Sequence, residues 1–459
     1  MGRALDKPDA RTLLTELYNA AVEAAAPAPV IERALASDRL DEISPWIIAL
    51  GKAALPMANA AISILERSGL TPAGGVVVTP DEAGLLASSL KTSHPEIAIA
   101  FGNHPEPGAG SLEAGVAIGE AARLARTSRE VWVLLSGGAT SLAASPIDGV
   151  SAGDLTTLYN ILQGSGLDIS AMNTVRKRFS RWGAGRLAVA LYPARVRTFV
   201  ISDVLGDDLA AIGSGPCSPD ESTASDVREI LCAADVWQRI PEAIRLELDR
   251  MERDAFFETP KADNPCFRNV ESTIVANNQT ALDGAARRAR ELGVQTVLQK
   301  EAISGDAASA GSSLVRAFRD HMAGSDLSAS HGAGSCLIAG GETVVRLNAT
   351  GAAASKQGDA TTGGRSQELA LSAARALRDT TGGKATLLAA GTDGRDGPTD
   401  AAGAIVDETT WDRIRSAGRL PDYDLARHDS YNALLSVGAL LKTGPTGTNV
   451  ADIVIVSQL

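Results

Sequence analysis

Short apolar runs recur along the chain, each ending in Gly, Ser, Thr, Asn or Asp, and Ala-rich stretches of helical spacing often follow them. Trp46–Leu50 leads into Gly51-Lys52, Val76–Val78 ends at Thr79-Pro80, Val131–Leu135 leads into Ser136-Gly137-Gly138, and Thr198–Ile201 ends at Ser202-Asp203. Farther on, Ser272–Ala276 ends at Asn277-Asn278, and Thr386–Ala390 ends at Gly391-Thr392-Asp393. Unbroken apolar runs bounded by turn residues predict strands buried on both faces. Their alternation with helices predicts an α/β fold built on mostly parallel sheets flanked by helices. Ligands of such sheets sit beyond the carboxyl ends of the strands, which is where the polar clusters fall.

A chain of 459 residues suits two domains rather than one core. Glu221 to Phe257 reads as mostly helical. The breaker segment Glu258–Pro265 predicts a boundary that divides residues 1–258 from 259–459. Gly324–Gly334 reads as a surface loop and Thr350–Gly364 as a loop near a site. With 44% hydrophobic and 21% charged residues the composition is that of a soluble globular protein. The net charge of −12 argues against nucleic acid as a partner, since phosphate backbones need a basic surface. Four cysteines without a C-x-x-C pair predict reduced thiols in a cytoplasmic protein. The start of the chain lacks the charged and apolar regions of a signal peptide. Ile47–Leu65 is interrupted by Lys52, Pro56 and Asn59, so it predicts strand, turn and helix instead of a membrane span. Homo-oligomerisation stays open.

Candidate chemistry lies at the strand ends. Lys52 opens a helix, where its charge opposes the helix dipole unless an anion is held there too; a solvated lysine is the plain alternative. The segment around it is not a Walker A loop, because Trp46 and Ala53 replace the required residues. Ser136, Gly137, Gly138, Thr140 and Ser141 could cradle phosphate through backbone amides and hydroxyls, or form a plain tight turn. His104, in the rigid turn Asn103–Pro107, reads first as a structural histidine. Asp203 with Asp207 and Asp208, and Asp393 with Asp396 and Asp400, form two acidic groups at strand ends. Either could supply Mg²⁺ ligands or a base for a hydroxyl, and single aspartates of this kind also cap helices and close turns. Arg365, after Gly363-Gly364 at a helix start, could hold a carboxylate or phosphate in a bidentate fork, or pair with Glu368.

In series these segments resemble the class II glycerate kinases, whose C-terminal part is the MOFRL domain. The resemblance rests on Ala49–Ala53, Asn103–Pro107, Leu135–Gly138, Asn173–Lys177, Ile201–Asp207, Gly213–Pro216 and Gly340–Thr343. It continues through Gly363–Arg365 with Gln367-Glu368, Gly391–Gly394, Asp396–Asp400 and Asn432. It implies two Rossmann-like domains with the active site in the cleft between them, and a MOFRL-type region at about residues 334–445. It implies ATP-dependent phosphorylation of D-glycerate at the 2-hydroxyl with a divalent ion. Lys52, Arg365 and Asp393 fall on the family's active-site positions. Ser136–Gly138, Thr140 and Ser141 are the nucleotide candidates, and Asp203 and Asp396 the Mg²⁺ candidates. An NAD(P)-dependent hydroxypyruvate reductase is a rival, and its only glycine-rich candidate is Gly183-Ala184-Gly185. A small-molecule sensor and a kinase for another hydroxy or sugar acid are further alternatives.

Overall fold

Twelve strands and the helices between them carry the architecture of a computed structural model that describes residues 9–36, 44–80, 84–104, 106–324, 334–346, 362–379 and 383–459. They form two compact units. One is Pro27–Val275, and the other joins the residues up to Ala26 with Ala276–Leu459.

The Lys52 unit holds β1 (Trp46–Leu50), β2 (Gly74–Pro80), β3 (Ile97–Gly102), β4 (Glu130–Ser136), β5 (Arg195–Ile201) and β6 (Val270–Ala276). Their order is β3-β2-β1-β4-β5-β6, and the pairs β1–β2, β2–β3, β1–β4 and β4–β5 are parallel. The chain winds outward one way from β1 and the other way from β4. The topological switch therefore lies between β1 and β4, where open α/β sheets bind ligands. Ile48, Val76, Val133 and Leu135 pack under Ala114, Ile118 and Ala122 of the helix Ala109–Ala125. Trp132 meets Phe199 edge-on at 5.9 Å and donates its indole N–H to Glu130 at 2.6 Å, so its one polar atom is satisfied inside the core. The four-helix set Ala152–Gln163, Ile169–Arg178, Ala224–Ala233 and Glu242–Arg253 has its own core around Leu158, Phe179, Val227, Ile244 and Leu248. The last two helices fall inside the stretch expected to be helical.

Arg178, fully buried, is bonded to Glu258, to Asp220 at 3.3 Å and to the carbonyl of Ser222. Lys177 pairs with Asp220 at 2.9 Å, and Lys261 donates to the Asp220 carbonyl at 2.9 Å.

The Arg365 unit holds β7 (Gln295–Leu298), β8 (Ser335–Gly341), β9 (Thr386–Gly391), β10 (Gly403–Asp407), β11 (Leu440–Leu441) and β12 (Asp452–Gln458), in the order β11-β10-β9-β12-β8-β7. Here the α/β class holds and the strand directions differ from expectation. Only β7–β8 is parallel, while β8–β12, β9–β12, β9–β10 and β10–β11 are antiparallel. The helix Arg365–Asp379 joins β8 to β9 as a crossover, but β12 is inserted between those two strands and runs against both. An apolar run buried on both faces reads the same in either direction, and the run that forms β12 was not among the strands expected.

The units also divide elsewhere than at 258/259. Past the breaker segment the chain adds β6 to the edge beyond β5 before it leaves the sheet. The helix Ala10–Ala24 counts with the second unit, because it packs on the helix Asn278–Glu291. A side chain on Gly284 would overlap Ala24 there, so only glycine permits the approach. Most of the two candidate loops, 325–333 and 350–361, lies outside the described residues.

Candidate active site

In the Lys52 unit the candidates gather at the carboxyl ends of β1, β3, β4 and β5. Gly51 takes φ +122°, and a side chain there would overlap the hydroxyl and carbonyl of Ser136. The Lys52 amide donates to the Gly137 carbonyl at 2.9 Å, and the Ala53 amide to Ser136 Oγ at 3.0 Å. The amides expected to join Lys52 in holding an anion are thus spent on docking the turn to β4. Ser136 is fully buried, and its hydroxyl is engaged in fastening that turn.

The next two glycines behave differently. A Cβ on Gly137 would overlap Asp203 Oδ2. A Cβ on Gly138, which has φ +83°, would stand 3.2 Å from Lys52 Cγ, 3.2 Å from His104 Cδ2 and 3.3 Å from His104 Nε2. The Gly137-Gly138 turn therefore lies between the Asp203 carboxylate and the Lys52 and His104 side chains. Thr140 shares a 2.8 Å hydrogen bond with Ser214, and Ser141 donates to the Gly138 carbonyl at 3.3 Å; both are half-buried.

In the Arg365 unit the inserted strand builds the cluster. Because β12 runs against β8 and β9, its first residue, Asp452, lies opposite Gly341 and Gly391, the last residues of both. Arg365 donates to it from Nε at 2.6 Å and from Nη2 at 3.0 Å, and Nη1 bonds Glu342. Among the described residues three of its donors are committed, which leaves one N–H on each of Nη1 and Nη2 for an anion. Burial alone would weaken the guanidinium's charge, but Asp452 and Glu342 outweigh it and hold its pKa above the usual arginine value. Burial pushes the Asp452 carboxyl up, against the pull of Arg365. Ala451, just before it, takes φ +64°, and its carbonyl accepts from Thr392 Oγ1 at 2.7 Å. That strained backbone is held in place by the Thr392-Asp393 loop.

Asp393 is half-buried and accepts the Arg395 amide at 3.0 Å. A Cβ on Gly391 would stand 3.2 Å from Asp393 Oδ1 and 3.5 Å from Asp452 Oδ1, so the two carboxylates flank one glycine. Tyr18 donates to the Gly391 carbonyl at 2.8 Å. Asp396 is not where a metal ligand is needed. It is 3% exposed, and its two oxygens accept the Ser366 and Gln367 amides at 3.1 and 2.7 Å, capping the helix that carries Arg365. Burial, reinforced by Asp452, raises its carboxyl to about 7. Arg365 does not pair with Glu368, which is buried against His428 Nδ1 at 2.9 Å.

Among the described residues no group of three or more His, Cys, Asp or Glu converges on a metal position. Mg²⁺ takes one or two carboxylates with phosphates and water. Asp203, half-buried against a glycine, fits that role, and Asp396 does not. Residues missed from sequence are Asp452, whose strand was not recognised, and Glu342 and Tyr18, to which no role was given. The signal for Asp452 was its place at the head of Ile453–Val456.

The four cysteines are free thiols, and no described helix is long and apolar enough to cross a membrane.

Residues 13–249 match the family described as a domain of unknown function (DUF4147), and residues 335–452 match the MOFRL family. A glycerate 2-kinase of Pyrococcus horikoshii is 37% identical over 416 residues, covering 89% of this chain and 86% of its own. A protein of Agrobacterium vitis, provisionally named a hydroxypyruvate reductase, is 34% identical over 97% of this chain and 93% of its own. The crystal structure of a glycerate kinase from Thermotoga maritima superposes with a TM-score of 0.79 at 34% identity, over 98% of this chain and 99% of that one.

Proposed function

We propose the following for this chain, which belongs to the class II glycerate kinase family: it transfers the terminal phosphoryl group of ATP to the 2-hydroxyl of D-glycerate, giving 2-phosphoglycerate and ADP. The observation that carries the reading is the turn at the β1/β4 switch point, where Gly137-Gly138 lies between the Asp203 carboxylate and the Lys52 side chain. A cation, a carboxylate and a glycine turn at that place are what a polyphosphate requires.

Phosphoryl transfer asks the protein mainly for positioning and charge stabilisation. The bond between the terminal phosphorus and its bridging oxygen breaks, a bond to the acceptor oxygen forms, and the hydroxyl proton needs a base. In the Lys52 unit, the ammonium of Lys52 offsets phosphate charge, Gly137 and Gly138 give the close approach, and Thr140 and Ser141 offer hydroxyls. Asp203 would hold Mg²⁺, which would supply further charge neutralisation on the phosphates. In the Arg365 unit, the two remaining guanidinium N–H groups hold an anionic oxygen group, and Asp393 orients the hydroxyl and takes its proton.

The reductase reading lacks its binding turn. After β1 the chain reads Gly51-Lys52-Ala53-Ala54, without a glycine fingerprint. Gly183-Ala184-Gly185 follows a helix rather than a strand, and the Ala184 and Gly185 amides are given to the carbonyls of Ser214 and Gly215 at 2.7 and 2.8 Å.

The test is ADP release with D-glycerate and Mg²⁺, with the product offered to enolase alone. Immediate enolase turnover is expected. Release only with another hydroxy acid would change the substrate, and NADH oxidation with hydroxypyruvate in place of ADP release would overturn the proposal.

A further inference from the structure

We propose that His428 is a positioning residue for Arg365: its bond to Glu368 clamps residues 429–431 onto residues 362–364, which lead into the arginine. The proposal rests on the kinase reading for the part Arg365 plays in turnover.

His428 stands where a helix ends. The helix Pro421–Ala426 closes with the His428 amide on the Leu425 carbonyl at 3.2 Å and the Asp429 amide on the Asp424 carbonyl at 2.8 Å. That pair of bonds puts His428 just past the cap, where the backbone turns left-handed and glycine is the usual residue. His428 has φ +58° there. The backbone at this point favours glycine or asparagine, so what histidine adds is its side chain.

That side chain reaches the helix Arg365–Asp379. Nδ1 lies 2.9 Å from Glu368 Oε2, and the glutamate side chain is 3% exposed. Burial pushes the Glu368 carboxyl up, His428 pulls it down, and Asp306 adds to the rise. Among the described residues the His428 Nε2 is buried without a hydrogen-bond partner, so Glu368 is the contact that fixes the imidazole. Glu368 sits one turn beyond Arg365, and its amide donates to the Gly364 carbonyl at 2.9 Å.

The residues after His428 hold the segment before Arg365. Asp429 Oδ1 accepts the Thr362 amide at 3.2 Å, and the Tyr431 amide donates to the Thr362 carbonyl at 2.9 Å. A side chain on Gly363 would overlap Ser430 Oγ and stand 3.3 Å from the His428 carbonyl oxygen. Asp429 is itself anchored by Arg419 at 2.6 Å and by Asn432 at 2.7 Å. These contacts close on themselves: Glu368 to His428, along the chain to Tyr431, across to Thr362, and through Gly363-Gly364 to Arg365. Asp396 caps the first helical amides, whereas this circuit holds the segment ahead of them. The imidazole is the side-chain link that ties the circuit back to the helix.

The experiment compares the full chain with its His428→Gly and His428→Asn variants, each alone and combined with Arg365→Ala. Both replacements suit a left-handed backbone. The asparagine amide N–H stands in for Nδ1–H on Glu368, and glycine deletes the bond. His428→Gly is expected to lower kcat for ADP release about tenfold, on a scale where misplacement by about 1 Å can cost 10²-fold. His428→Asn should recover most of that loss. In the Arg365→Ala background His428→Gly should lower kcat by less than about twofold more, because no guanidinium is left to position. A kcat for His428→Gly within about twofold of wild type would overturn the proposal. So would equal losses in the glycine and asparagine variants, or an undiminished loss without Arg365. Hydrogen exchange at residues 363–368 needs no turnover. Exchange there should quicken about tenfold in His428→Gly and return to the wild-type rate in His428→Asn. If wild type makes no ADP, the kinase reading fails, and exchange still decides here: quickening in His428→Gly supports the clamp, and wild-type rates overturn it.

Discussion

Both units bury carboxylates beside an arginine, and the two sets respond in opposite directions. Around Arg178, burial would raise Glu258, but the Arg178 bond and charge and the amides of Thr259 and Ala224 bring it down to about 2. Burial would raise Asp220 too, and Lys177, Ser222 and Arg178 overcome it. Around Arg365, burial wins: Asp396 rises to about 7 and Asp452 also goes up. What differs is the balance of charge. Arg178 has Lys177 and Lys261 beside it, whereas among the described residues Arg365 is the one cation bonded to Asp452 and Glu342, with Asp396 and Asp393 adding negative charge. The first arrangement keeps its carboxylates ionised and locks the helices together. The second holds a proton near neutrality, a perturbation of the kind that gathers at functional sites.

The comparison is broken most forcefully at the two candidate cations. Lys52→Ala and Arg365→Lys should each lower kcat about 10²- to 10³-fold in the ADP-release assay, the scale of losing one preorganised charge donor. Arg365→Lys keeps the charge and removes the fork that Asp452 holds, so it tests geometry rather than charge. Near-native turnover in either variant would strike that residue from the site.

Next in size is Glu258→Gln. A carboxyl whose pKa falls from 4.5 unfolded to about 2 folded adds stability that is complete above 4.5 and lost as pH drops to about 2. The variant should lose roughly 3 kcal/mol at neutral pH in denaturant unfolding, with the gap closing toward pH 2. A gap that persists at low pH would mean the glutamate acts through packing alone.

Asp396 should do the reverse. Its pKa rises from 3.8 unfolded to about 7 folded, so the native state binds the proton more tightly. Its contribution is complete below about 4 and declines as pH rises through about 7. Asp396→Asn should remove a fall of roughly 2 kcal/mol between about pH 5 and 7 from the stability profile, while losing about 1 kcal/mol of helix capping. An unchanged slope would deny the carboxylate excess around Arg365.

These particulars show what was legible in the chain. The strand order of the Lys52 unit was legible because parallel order follows from strand–helix alternation, and its candidates were local, since each strand end carries its own Gly, Lys or Asp. Lys52, Gly137, Gly138 and Asp203 were named as candidates from such local motifs, and they lie together around one turn. The Arg365 unit was read in part. Arg365 and Asp393 sit in motifs, but Asp452 depends on a strand that returns from the far end of the chain and inserts between β8 and β9. Register across such an insertion is a tertiary property. Asp396 and Ser136 show why the rest was not legible: both accept backbone amides, a capping side chain and a ligand-binding one use the same residue types, and only burial and partners tell them apart.

The smallest expected effect tests the least legible contact. Tyr18 lies in the helix Ala10–Ala24, far in sequence from Gly391, and donates to its carbonyl inside the core. Burial, with Asp393 and Asp452 adding to it, holds the phenol well above its usual pKa, so it stays a neutral donor at all working pH values. Tyr18→Phe keeps the ring packing and deletes only the hydroxyl. The Gly391 carbonyl then loses this donor, at a cost of about 1 kcal/mol. Because that carbonyl precedes Thr392-Asp393, the same variant should slacken the loop that holds Asp393. A kcat reduced severalfold with unchanged KM for ATP would show that the first helix positions Asp393 as well as stabilising the unit. A loss of stability with kcat intact would confine the helix to packing.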